Sequence, residues 1–212
     1  MSAHQLHRTL GVTYKTAWFM AHRIRKAMET QHRDPIGGGG KVVEADETFW
    51  GTKPDTKKAR GGWAHKNAIF SLVERGGQVR SFHIPAVTGA TLKPILESQM
   101  SADTNLMTDD ARHYKQMGKV SATHETVAHT KKEYVRGNIH TNTIEGFFGL
   151  LKRGLIGTYH HVGSHHLQRY VSEFDFRYNN RTALGVTDAE RTDTALKGIV
   201  GKRLTYRRIN AQ

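Results

Sequence analysis

The chain has 212 residues, 37 % hydrophobic and 24 % charged, enough for one domain of about 150 residues plus a smaller piece. Lys plus Arg number 32 against 19 Asp plus Glu, a formal charge of +13, which favours a polyanion as partner, nucleic acid first. No Cys is present, which excludes disulfides, Cys-ligated zinc and a thiol nucleophile, and neither a membrane-length apolar run nor a signal-peptide core is seen, so a cytoplasmic, nucleoid-associated protein without a membrane is expected.

Residues 1–32 read as two short helices, SAHQLHRTL and TYKTAWFMAHRIRKAM, broken at Gly11 and with Thr13 able to cap the second. This is the outline of a helix-turn-helix, and Arg8, Lys15, Arg23, Arg25 and Lys26 are placed to meet phosphates. The competing reading is a helical hairpin that only packs on the rest. Residues 33–40, RDPIGGGG, read as a Gly-rich linker and domain boundary.

From residue 41 to 185 the pattern is strand KVVEADETFW, hairpin NAIFSLVERGGQVRSFHIP, helix TGATLKPILESQM, strand TNLMTDD, short helix ARHYKQMGK, strand ETVAH, then two helices. That order predicts an α/β fold, a mixed five-stranded sheet flanked by helices. The first late helix, HTNTIEGFFGLLKRG, carries an apolar stripe of Ile144, Phe148, Leu151 and Leu155. The second, HHLQRYVSEFDFRYNNR, places Leu167, Tyr170, Val171 and Phe174 on one face. Loop 51–62, with Lys53, Lys57, Lys58 and Arg60, reads as a segment that DNA would order, and 186–212 as a basic C-terminal tail.

Three carboxylates stand out. Asp46 is at the end of the first strand, Asp109 ends TNLMT with Asp110 beside it, and Glu145 lies in the first turn of the 140s helix. Acids at strand ends are where an open sheet places its site. Such a trio suits hard divalent cations, two of which can activate an attacking oxygen and stabilise a leaving one in phosphoryl transfer. Structural roles compete: Asn142 as cap with Glu145 closing a capping box, Asp109 or Asp110 as a cap for the next helix, Asp46 or Glu47 as an edge-strand charge. Lys152 follows Glu145 by seven residues, about 20° short of two turns, so the two share a helix face. A lysine there can hold a DNA phosphate as a point charge, or simply be solvated.

VVEADETFWG, MTDDARHY, HETVAHTKKEYVRGNIHTNTIEGFFGLLKRGLIGTYHHV and HLQRYVSEFDFRYNNR resemble the signature blocks of DDE transposases from prokaryotic insertion sequences, nearest the group named for an ISXO-type element of plant-pathogenic bacteria. The resemblance runs from about residue 3 to about 185 and is most specific over 129–181. It implies a ribonuclease-H-like fold, two Mg²⁺ or Mn²⁺ ions, and a metal-holding catalytic triad of Asp46, Asp109 and Glu145. Asn142, His140 and Asp110 become near-site residues, Asn142 a rival third ligand. It also implies double-stranded DNA as partner, both terminal inverted repeats and target, handled by a homodimer. Lys152, Arg153, Lys15, Arg23, Lys57, Lys58, Arg177 and Arg181 are the expected DNA-binding cations, although Arg177 and Arg181 could instead finish their helix. The family pattern places a zinc ribbon before the helical segment; this sequence holds no Cys and starts inside that segment.

Two other classes remain in view: a catalytically inactive DNA-binding relic or repressor, and a ribonuclease-H-like nuclease without strand transfer. The 14 His, with HH at 160–161 and 165–166, lack zinc-site spacing and read as a DNA-facing surface. Trp18, Trp50 and Trp63 read as core or hinge residues before stacking platforms.

Overall fold

The computed structural model describes residues 1–30, 34–54, 56–57, 62–115, 120–127 and 135–203. Lys58, Arg60, the 128–134 part of the signature block and the basic end 204–212 lie outside the described residues.

β1 (Val42–Trp50), β2 (Asn67–Glu74) and β3 (Val79–Ile84) form an antiparallel meander, and β4 (Asn105–Asp109) and β5 (Thr123–Val127) add parallel to β1, giving the order β3-β2-β1-β4-β5. Period-2 alternation decides which core each strand feeds. Ala68, Phe70 and Leu72 of β2 join Val43, Ala45 and Leu106 under α3 (Gly89–Gln99), while Ile69 and Val73 face α5 (Asn142–Gly154) and α6 (Leu167–Asn179). The sheet is thus covered on both faces, the α/β, ribonuclease-H-like architecture that the element order implied. The stripe Ile144, Phe148, Leu151 and Leu155 is buried, with Phe147 beside it. Thr13 caps α2 (Tyr14–Met28) as its sequence position suggested, and Thr88 caps α3.

β3 is an edge strand, and α6 satisfies it with side chains in place of another strand. Asn179 bonds both the N–H and the C=O of Val79, Asp175 accepts from the Ser81 N–H and hydroxyl, and Gln168 accepts from the His83 N–H and donates to the Ser81 carbonyl.

Three segments differ from the linear reading. The glycine stretch is no free linker. Ile36 is buried and bridges Met100, and the N–H groups of Gly37, Gly38 and Gly39 donate to Glu74, the Thr104 hydroxyl and Asp103. Gly37 has φ 79°, and a Cβ there would stand 2.2 Å from Thr104 Oγ1, so a side chain is excluded twice over. The N-terminal helices α1 (Ala3–Leu10) and α2 are also not set apart, because α2 packs its Ala17, Ala21, His22 and Arg25 face on α6. Finally, 186–203 is not simply a basic tail: α7 (Asp188–Lys197) opens on a capping box, Thr187 with Glu190, and packs on α2. A short hairpin not foreseen, β6 (Val135–Arg136) with β7 (Ile139–His140), leads into α5.

Candidate active site

Asp46 lies in mid-strand, not at the strand's end, because β1 continues beside β2 as far as Trp50. Its pairing with β4, however, stops at Glu44↔Met107. The same register carried two residues further sets Asp46 opposite Asp109, so both side chains emerge where the two parallel strands part.

Glu145 reaches this point through α5. Asn142 is not the cap of that helix; it is the first helical residue, Thr141 precedes it, and the Thr141 hydroxyl donates to Glu145 at 3.0 Å. The helix start is held from the sheet. Glu44, fully buried on β1, accepts from the Ile144 N–H at 2.9 Å and from the Thr143 hydroxyl at 2.8 Å, a carboxylate at a helix N-terminus. Arg75 balances that buried charge, its Nε 2.6 Å from Glu44, and donates onward to the carbonyls of Asn138 and His140. Glu44 and Asp46 are two apart on one strand, so a single alternation aims one carboxylate at the helix start and the next at the acidic point.

Mutual repulsion is visible in the acids. Burial, then Glu47, then Asp109 and Glu145 push the Asp46 carboxyl up to about 8, against its one backbone hydrogen bond from Glu47. Asp109 is raised too, by burial and by Glu47 and Asp110, while the Ala111 N–H and His113 oppose the shift. Asp109 also caps the turn into α4 (Arg112–Lys115), accepting from Ala111 at 3.0 Å, so the capping role coexists with a place opposite Asp46.

Sequence reasoning left out Glu44, Arg75 and Tyr114 around this point and read Glu47 only as an edge-strand charge, whereas β1 lies inside the sheet. Tyr114 is fully buried and donates to Glu47 at 2.6 Å, tying α4 to β1. Glu47 also holds His113 above the ordinary imidazole value, at 3.3 Å from Nε2. The signal available was the density of acids in VVEADET; the partners are 31 to 100 residues away along the chain.

Of the other candidates, His140 sits with Arg75 and Glu44 behind the α5 start, and Asn142 is exposed, its N–H donating to His140 Nδ1. Lys152 and Arg153 are exposed at the far end of α5, as are Lys15, Arg23 and Lys57 on their own elements. Arg25 does not face solvent: it is buried against Glu173 at 2.8 Å. Lys26 pairs with Glu29. Arg177 pairs with Glu173 at 2.7 Å, and Arg181 donates to the carbonyls of Gly77 and Tyr178, which is the helix-finishing role.

Among the described residues no group of three or more His, Asp or Glu side chains is gathered closely enough to be a ready-made cage. The donor set nonetheless fits a hard cation: carboxylate oxygens in excess over partners, with Asp46 short of neutralising charge.

A ribonuclease-H-like sheet with acids at the β1/β4 divide and at the first turn of the following helix defines the general class. Residues 37–179 match the ISXO2-like transposase domain, and the chain belongs to that family. It is 28 % identical over a 192-residue alignment to an uncharacterized protein in transposable element ISH50 of Halobacterium salinarum, covering 83 % of this chain and 64 % of that one. An uncharacterized transposase-like protein of Haemophilus influenzae is 27 % identical over 97 residues, 46 % of this chain and 77 % of that one. The chain therefore spans a little under two thirds of the Halobacterium relative. Among the described residues no helix is long and apolar enough to cross a membrane.

Proposed function

We propose that this chain is the catalytic part of a metal-dependent DDE transposase, with Asp46, Asp109 and Glu145 as the residues that would hold two Mg²⁺ or Mn²⁺ ions. The observation that carries the reading is the convergence of Asp46 and Asp109, in register on parallel strands, with a helix whose first turn is fastened to the same strand through Glu44. When bound, such ions polarise the phosphodiester and favour ionisation of the attacking hydroxyl. The chain's own residues do the positioning. Glu44 and Arg75 fix the α5 start and hence the direction of Glu145; Tyr114 and Glu47 fix the turn after Asp109. Lys152, about 10 Å along α5 from Glu145, neutralises a neighbouring phosphate together with Arg153. No protein nucleophile takes part, so water opens the bond at an element end and the freed 3′-hydroxyl attacks target DNA. Pairing two ends calls for two chains, hence a homodimer on terminal inverted repeats, with the α1–α2 hairpin and its exposed Lys15 and Arg23 on the DNA backbone.

The test uses the purified chain, its own element ends and Mg²⁺. The parent is expected to yield cut and joined products and Asp109→Asn neither; equal product from Asp109→Asn would remove the triad assignment. Cut ends without joining would identify a nuclease, and salt-sensitive binding with no cutting would identify a relic or repressor.

A further inference from the structure

Past the acidic point, where β1 ends, lies a cleft of about 480 Å³ whose lining includes Trp50, Thr52, His160, His161, Ser164 and His165. Its size falls among small-ligand pockets, about 300–1,000 Å³. Trp50 forms one side, half-buried and packed on the α5/α6 apolar cluster, which leaves the indole braced from behind. The opposite wall is an unusual piece of chain. α5 continues into a single π-helical turn, Leu155–Tyr159, and then into His160 at φ 56°, the one non-glycine residue with positive φ among the described residues. π-turns and left-handed non-glycine residues cost free energy and concentrate at functional places. Leu155, Tyr159 and Val162 of this stretch pack on the α5/α6 cluster, while His160, His161 and His165 are left exposed beside the cleft.

The lining chemistry is specific. A braced indole offers a stacking face, imidazole N–H groups and hydroxyls offer donors, and among the described residues no carboxylate lines the cleft. That is the reverse of the acidic point nearby, and it suits an aromatic base carrying a phosphate. The placement agrees. Trp50 is four strand residues from Asp46, about 13 Å. α5 runs alongside in the same sense, with Ile144 bonded to Glu44 at one end and Leu155 in the cluster under Trp50 at the other. Lys152 therefore lies between the acids and the cleft along α5, and 13 Å is at most about four nucleotide steps, taking the stacked rise of about 3.4 Å as the shortest.

We infer that this cleft binds one unpaired nucleotide of a DNA strand that runs from the acidic point past Lys152, its base on Trp50 and its phosphate on the His160–His165 turn. The inference rests on the DNA-processing reading above. Binding in EDTA separates the two: it requires no cutting, so the cleft can stand where the catalytic assignment falls, and the reverse.

The experiment measures fluorescence anisotropy of a labelled ten-nucleotide oligothymidylate and of a blunt duplex, in EDTA, with the full chain. His161→Ala/His165→Ala, both exposed, and Trp50→Ala are each expected to weaken oligothymidylate binding about 10-fold while duplex binding changes less than about twofold; Trp50→Phe keeps most of the affinity. If Trp50→Ala fails to fold, the double His variant and Trp50→Phe still decide. Unchanged oligothymidylate binding in the double His variant, or an equal loss on duplex, overturns the proposal.

Discussion

At the α2–α6 seam, buried Glu173 meets Arg25 at 2.8 Å, Arg177 at 2.7 Å and the Tyr159 hydroxyl, and Arg25 lies over the Tyr170 ring at 4.0 Å. At the end of the sheet, Asp46 and Asp109 meet chiefly other carboxylates. Both regions bury ionisable groups, but only the first is internally balanced. A balanced cluster is what holds a helix down. An unbalanced one is stable only at a cost, and the raised Asp46 value shows the cost being met by holding a proton. The contrast explains why Arg25, one of the cations set in the first helices, belongs to the architecture, whereas the acids are the groups proposed above to hold metal.

Breaking the unbalanced side should have the largest effect. Asp109→Asn is expected to lower cutting and joining at least about 10³-fold, some 4 kcal/mol of barrier, with no loss in melting temperature. On the balanced side the effect inverts. Glu173→Gln leaves Arg25 uncompensated and should cost about 3 kcal/mol, a fall in melting temperature on the order of 10 °C read by calorimetry.

The pH dependences of the two regions run in opposite directions. Asp46 has its folded value raised to about 8 from 3.8, so the folded state holds the extra proton. Its share of stability is fully present below pH 3.8 and is lost as pH rises through 8. Asp46→Asn in EDTA should therefore melt a few °C above the parent at pH 8, with little difference at pH 4, and Mg²⁺ should restore the parent at pH 8. At the seam, burial and then Arg25 push His22 down to about 3, and burial and then His165 push His166 down to about 4. Both His22 ring nitrogens are buried without a hydrogen-bond partner among the described residues, and its ring lies 4.6 Å from that of His166. The unfolded chain takes up these protons first, so stability falls as pH drops from 6.5 towards 3–4. His22→Phe should flatten that acid limb and leave melting above pH 7 nearly unchanged; an unaltered acid limb would mean that the seam does not set it.

The same contrast separates what could be read linearly from what could not. The β2–β3 hairpin was legible because its signals are local: two apolar runs on either side of the Gly76-Gly77 turn. The apolar stripes of α5 and α6 were legible for the same reason, since 3.6-residue periodicity needs no knowledge of the partner. Arg25 was not, because the Glu173 that buries it is 148 residues away, and an arginine next to a lysine in a basic helix looks solvated. Nor was the glycine stretch: four glycines predict freedom, and only the arrival of Glu74, Thr104 and Asp103 at their N–H groups turns them into a packed strap.

By itself, then, the sequence determined the succession of strands and helices, the faces of the helices, the basic excess and the family to which its motif blocks belong, because periodicity, turn chemistry and motif are properties of short segments. The tertiary structure alone decided which charges are neutralised within the fold. It showed that Glu44 serves the start of α5, that Arg25 and Glu173 neutralise each other, and that Asp46 is left among acids. Those outcomes depend on distances of a few ångströms between segments up to 148 residues apart, and electrostatic free energy is set by that separation and by burial, neither of which is written in a linear pattern.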